Sequence, residues 1–164
     1  MPDLLSHSMA AWAASRVRSS RSTAWLVVTG TLLPDLLTRA PGTVMSALKD
    51  LLHLPREVFF LLSPFHSPLF LLPVCALIAF MFEESLRRHL FLCLTGGMLF
   101  HIFMDLFQRQ VGGGYLLFFP LSAHKVQFGV AWGDYWAYWL VPLMVIALIV
   151  ELARLRAERR RRKC

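Results

Sequence analysis

Apolar residues run along this chain in four blocks, Ala24 to Leu37, Pro68 to Phe82, Leu90 to Phe107 and Tyr135 to Leu152. A hydrocarbon layer of about 30 Å takes about 20 helical residues, with about 17 as the lower limit, so the last two blocks are long enough alone and the first two fall short. The second block lengthens backwards through "EVFFLLSPFHSPLFLL", where Pro64 and Pro68 interrupt it and free backbone groups that protein or water must satisfy. A further stretch, Leu4 to Ala14, is too short to cross and reads as a partial or interfacial helix. The pattern predicts an all-α fold: a multi-pass transmembrane helical bundle of about four crossings plus a short N-terminal helix. Residues 1–153 form its single integral-membrane domain and residues 154–164 a basic cytoplasmic tail. "RVRSSRSTAWLVVTGTLLPDLL" has the basic start of a secretory signal but no convincing small-residue cleavage site, so it is expected to be retained.

Composition agrees. Of 164 residues, 57% are hydrophobic and mean hydropathy is +0.56, beyond the about 45–50% apolar content of soluble domains. Net charge is +7, and seven of the seventeen basic residues fall within Arg154 to Cys164, which marks a cytoplasmic face beside anionic lipid. A nucleic-acid partner is not expected, because the basic residues are not interleaved with aromatics along one surface. With four crossings and the tail inside, twelve Lys and Arg lie inside against five outside. That bias predicts an inner-membrane protein with both termini cytoplasmic. Cys75, Cys93 and Cys164 have neither metal nor redox spacing, and no disulfide framework is implied.

Polar residues on this topology gather on one side. Asp35 lies at the outer end of the first crossing, His66 near the outer start of the second, and His101 with Asp105 in the outer half of the third. Positions 101 and 105 share a helix face about 6 Å apart along the axis, so imidazole and carboxylate can converge on one ion or pair with each other. Gly96 and Gly97, a turn earlier, allow a neighbouring helix close. Asp35 follows Pro34, which predicts a kink or helix end at the membrane boundary; as a plain alternative, it marks where a helix meets water. His66 and Ser67 sit between Pro64 and Pro68, rigidly presented, although Ser67 before a proline is also an ordinary helix cap. The glycines of "QRQVGGGYLLFFPLSAHKVQFG" supply a hinge, after which Ser122 and His124 either reach a site or sit in a hydrated loop. His53 and His89 read as surface residues. His7 joins the other candidates only if its stretch enters the bilayer from outside.

In order, His7, "GTLLPDLL" with Asp35, the His66–Ser67 pair before an apolar run, "HIFMD" with His101 and Asp105, and "FFPLS" with Pro120 and Ser122 resemble the YdjM-like family of predicted membrane-bound metal-dependent hydrolases over about residues 3–130. The chain departs from that pattern at Leu37, where many relatives carry a second acid, and at Pro64 and Phe65, where they carry an arginine or threonine. The resemblance implies one divalent metal near the outer membrane boundary, with His66, His101 and Asp105 as ligands and His7 and Asp35 completing or orienting the shell. Zinc suits this donor set best, with manganese or iron as alternatives. Asp35 is then the candidate general base, and the depth of the site suggests a lipid, lipid-linked or phosphoester substrate. Two rival readings are a non-catalytic scaffold or assembly protein whose polar residues lock helices together, and a small ion-coupled transporter, which lacks the internal repeat such folds show.

Overall fold

The computed structural model describes residues 4–53, 62, 64–109, 113–130 and 136–161. Five helices follow one another: α1 (Leu4–Arg16), α2 (Arg21–Leu52), α3 (Pro68–Phe80), α4 (Glu84–Leu106) and α5 (Trp136–Arg161). Among the described residues there is no strand, and Tyr115 and Val126 form an isolated bridge, so the all-α expectation holds. α4 is the one helix among the described residues that is both long and apolar enough to cross a membrane, and α3 is a shorter apolar helix.

The boundaries differ from the apolar blocks in instructive ways. α2 continues for 32 residues through Pro34 and Pro41, so the predicted helix end at Pro34 is overridden. The reason is tertiary: α2 is packed along α4 at the level of Pro34, and packing of a helical face contributes more to helix stability than local propensity does. α3 starts at Pro68 with Ser67 at its N-cap position, while Pro64–His66 form a separate 3₁₀ turn. The segment that would lengthen this block backwards, residues 54–61, lies outside the described residues.

α2 and α4 run parallel with a constant offset. The Thr23 hydroxyl lies 3.3 Å from His89 Nε2, Thr31 donates to the Gly97 carbonyl at 3.1 Å, and Asp35 faces His101 at 3.8 Å, each pair 66 positions apart. Glycine permits this approach. A Cβ added to Gly97 would collide with the Val27 carbonyl, and one added to Gly30 with that of Leu94. α3 returns between them, and Leu33, Leu71, Cys75, Leu94 and Met98 form the apolar core where the three helices meet.

α1 packs against α2, α4 and α5 rather than lying on the surface. Its His7 touches Asp105 near the end of α4, and its Arg16 pairs with Glu151 (2.9 Å) and Glu158 (2.7 Å) of α5. Arg154 in turn donates to the Arg16 carbonyl at 2.8 Å. The helices therefore alternate in direction, with α1, α3 and α5 opposed to α2 and α4. One end of the bundle holds His7, Asp35, His66 and Asp105, and the other holds Arg16, His89 and the arginine-rich end of α5. The start of α1 and the end of α5 thus lie at opposite ends, which does not fit the expectation that both termini share one side. Of the two directions open to Leu4 to Ala14, α1 takes the one that carries His7 to the cluster.

The close contact makes a testable difference between adjacent glycines. Gly97→Leu is expected to destabilise the protein by about 3 kcal/mol through overpacking. Gly96→Ala, whose Cβ meets nothing within 4 Å, should be neutral or stabilising by about 0.5–1 kcal/mol. Thermal unfolding in detergent measures both.

Candidate metal centre

Four segments deliver side chains to one buried point. His7 comes from α1, Asp35 from α2, His66 from the 3₁₀ turn, and His101 and Asp105 from successive turns of α4. Asp105 Oδ2 stands 2.9 Å from His66 Nε2 and 3.2 Å from His101 Nε2, and its Oδ1 stands 3.2 Å from His7 Nε2. The Nε2 atoms of His66 and His101 are 3.3 Å apart. Asp35 Oδ1 lies 4.0 Å from His66 Nε2 and 3.8 Å from His101 Nε2. The side chains of Asp35 and Asp105 are fully covered, those of His7 and His101 are 1% exposed, and His66, at 12%, is the least covered.

The hydrogen bonds around the cluster decide what it can hold. Thr38 donates its one hydroxyl proton to the Pro34 carbonyl at 2.7 Å. The same hydroxyl lies 3.2 Å from His66 Nδ1 and is left to accept from it, so Nδ1 carries the proton. In a neutral ring Nε2 is then a bare lone pair, aimed at a carboxylate oxygen and at a second imidazole nitrogen. Such a convergence is repulsive unless a proton or a cation sits within it. Two donor sets, His7–His101–Asp105 and Asp35–His66–His101, have ligand atoms within 4.8 Å of one another. Donors about 2.1 Å from a zinc ion stand about 3–3.5 Å apart, the range in which Asp105, His66 and His101 lie. Asp35 Oδ2 and His101 Nδ1 are buried without a hydrogen-bond partner, and buried polar atoms of that kind call for an explanation. The donor set fits a divalent metal.

The surroundings bring in residues that the sequence reading passed over. Arg39, one turn after Asp35, places Nε 2.8 Å from Asp35 Oδ1. Gln108, one turn after Asp105, is buried with its amide nitrogen 3.4 Å from His7 Nε2. Tyr115 stacks on His66 with ring centroids 5.1 Å apart and planes 15° from parallel. Burial, followed by the charge of Asp105 and a hydrogen bond to it, holds the Tyr115 phenol far above its ordinary range. Helical spacing from Asp35 and Asp105 was a usable signal for Arg39, Thr38 and Gln108. Tyr115 had none, because a left-handed turn at Gly113 and Gly114 and the backbone pairing of Tyr115 with Val126 bring it in.

Three other candidates fall outside the cluster. Ser67 is fully buried, but its hydroxyl is shared between the Leu117 and Phe119 carbonyls at 3.0 and 3.1 Å. It anchors the loop that carries Tyr115 and makes no side-chain cap on α3. Ser122 accepts the His124 backbone N–H at 3.1 Å in an exposed turn, so the loop-residue alternative describes both. His53 and His89 are exposed, as expected. Ser67→Ala would remove the donor shared by two part-buried carbonyls, at a cost of about 1 kcal/mol. Its expected signature is a lower unfolding temperature with unchanged metal content.

No curated protein and no solved structure matches this chain. The profile described as YdjM inner membrane protein matches residues 4–164, extending the motif resemblance through the basic tail. From His7 to that tail, this chain belongs to the YdjM inner membrane protein family.

Proposed function

We propose that this protein is a multi-pass inner-membrane, metal-dependent hydrolase whose His/Asp cluster lies toward the outer boundary of the membrane. The observation that carries the reading is the convergence of the His66 and His101 Nε2 atoms on Asp105, with Thr38 holding the His66 proton on the far nitrogen. His66, His101 and Asp105 are the ligands, and His7 completes the shell from α1. Zinc is the metal of choice for this donor set, with manganese and iron behind it.

A 23-residue α4 is about 35 Å long, enough to cross the hydrocarbon layer. His101 and Asp105 occupy its last two turns. With the arginine-rich end inside, as the distribution of basic residues supports, the cluster and the start of α1 face outward. The topology is then N-out and C-in.

A divalent metal held here supplies Lewis-acid polarisation of an ester or phosphoester and a water acidified toward about pKa 7. The chain's own residues supply the rest. Arg39 holds Oδ1 of Asp35, leaving the partnerless Oδ2 to take a proton as general base. Tyr115 covers the His66 ring and keeps water from that side. A site at headgroup depth favours a lipid or lipid-linked phosphoester as substrate.

The near-complete burial of the cluster favours a second reading, in which it locks the helices without turnover. Metal analysis of the purified chain separates the two. Wild type is expected to hold about one divalent ion, His101→Ala/Asp105→Asn none, and Asp35→Asn to keep the ion while losing phosphoesterase activity. Negligible metal in folded wild type and double variant alike would leave the structural lock in place of the enzyme.

A further inference from the structure

A groove of about 630 Å³ lies between α1, α2 and α5. It is independent of the cluster: Met9 and Trp12 line it from α1, whereas His7 points to the opposite side of that helix, into α4. Trp25 lines it from α2, and Met144, Ala147 and Leu148 line it from α5. The groove arises because α2 and α5 both pack on α1 and leave a gap between them. Trp12 and Trp25 stand 4.7 Å apart across its wall. The Ser8 hydroxyl, near its upper end, is turned back to the Leu4 carbonyl at 2.6 Å. From Val141 to Glu151 the α5 wall is about 15 Å long, and the volume is within the about 300–1,000 Å³ of small-molecule sites.

Charge distinguishes the two ends. At the lower end Glu151 is engaged by Arg16, as is Glu158. Beyond Glu151 the walls carry cations: Arg21 is one turn below Trp25 on the same face of α2, and Arg156 lies on the face of α5 that bears Val145, three turns further along. Both are exposed. With Arg18, Arg159 and Arg160 also exposed at this end, positive groups outnumber the two glutamates, each of which already faces Arg16. An apolar slot ending at a cationic rim is complementary to one ligand chemistry, a hydrocarbon chain joined to an anionic head.

We propose that this groove is a binding site for an anionic phospholipid of the inner leaflet, with one acyl chain between Trp12, Trp25 and Ala147 and the phosphate at Arg21 and Arg156. The lipid replaces the missing α2–α5 contact and braces α1, the helix that carries His7. It is a structural ligand, separate from any substrate at the cluster.

The test uses the full chain reconstituted in vesicles of phosphatidylcholine with and without phosphatidylglycerol, extracted in mild detergent, with bound lipid counted by intact-complex mass spectrometry. Wild type is expected to retain one phosphatidylglycerol per chain, at least tenfold over phosphatidylcholine. Ala147→Phe, which fills the slot, should retain none. Arg21→Gln/Arg156→Gln changes only exposed side chains and should lose the tenfold preference, which keeps the test decisive if Ala147→Phe fails to fold. His101→Ala should retain lipid like wild type, so failure of the metal reading leaves this result untouched. Equal retention of both lipids by wild type, an unchanged preference in the arginine variant, or a dimer that Ala147→Phe dissociates would overturn the proposal.

Discussion

The parallel contact between α2 and α4 is the constraint on which the remaining structure depends. Two parallel helices joined by a crossover gain no register from a tight turn, so side-chain geometry must set it. Gly30 and Gly97 let the backbones meet, and the Thr31 hydroxyl, bonded to both the Val27 and Gly97 carbonyls at 2.9 and 3.1 Å, fixes the slide. In an apolar surround such a hydroxyl has no water to turn to, which makes the wrong register costly. Once Thr31 meets Gly97, the common 66-residue offset carries Asp35 to His101 one turn further on. The polar cluster is therefore a consequence of a packing decision made by residues that take no part in its chemistry.

α1 adds a second constraint from the other direction. Thirteen residues long, it is pinned at both ends by buried polar groups, His7 at the cluster and Arg16 between Glu151 and Glu158. A buried guanidinium is tolerated only where carboxylates and carbonyls satisfy it, and here two glutamates and the Ser19 carbonyl at 3.1 Å do so. That network ties the helix carrying the basic tail to the helix carrying His7. Loosening it would free α5, whose helix packing is chiefly on α1, before it disturbed the α2–α3–α4 core.

Much of the cluster was legible in the chain because lipid leaves few reasons for a buried histidine or acid. His101 and Asp105 announce a shared face by their spacing, and Asp35 and His66 stand out against apolar neighbours. What could not be read was direction. Leu4 to Ala14 is too short to count as a crossing, so its sense within the bundle depended on knowing that His7 reaches Asp105. Proline misled for a related reason: Pro34 reads locally as a kink or a helix end, whereas α2, packed along α4 at that level, stays helical past it. Ser67 stands beside His66, which joins the cluster, yet faces the loop carbonyls, a distinction of side-chain direction that adjacency in sequence does not encode.

The charges of the cluster separate its two readings on physical grounds. Asp35 and Asp105 bring two negative charges and Arg39 one positive, so with neutral rings the group is left at minus one in a surround that solvates charge poorly. A structural lock cancels that charge by keeping one proton on an imidazole, which requires nothing else and leaves no reason for three histidines to converge on one carboxylate. A divalent cation instead brings the group to plus one and uses every converging lone pair. Plus one is in turn the charge that a single anionic phosphoester would cancel. The surplus of histidine over what neutrality demands is thus spare donor capacity in a buried group whose geometry could hold a metal ion.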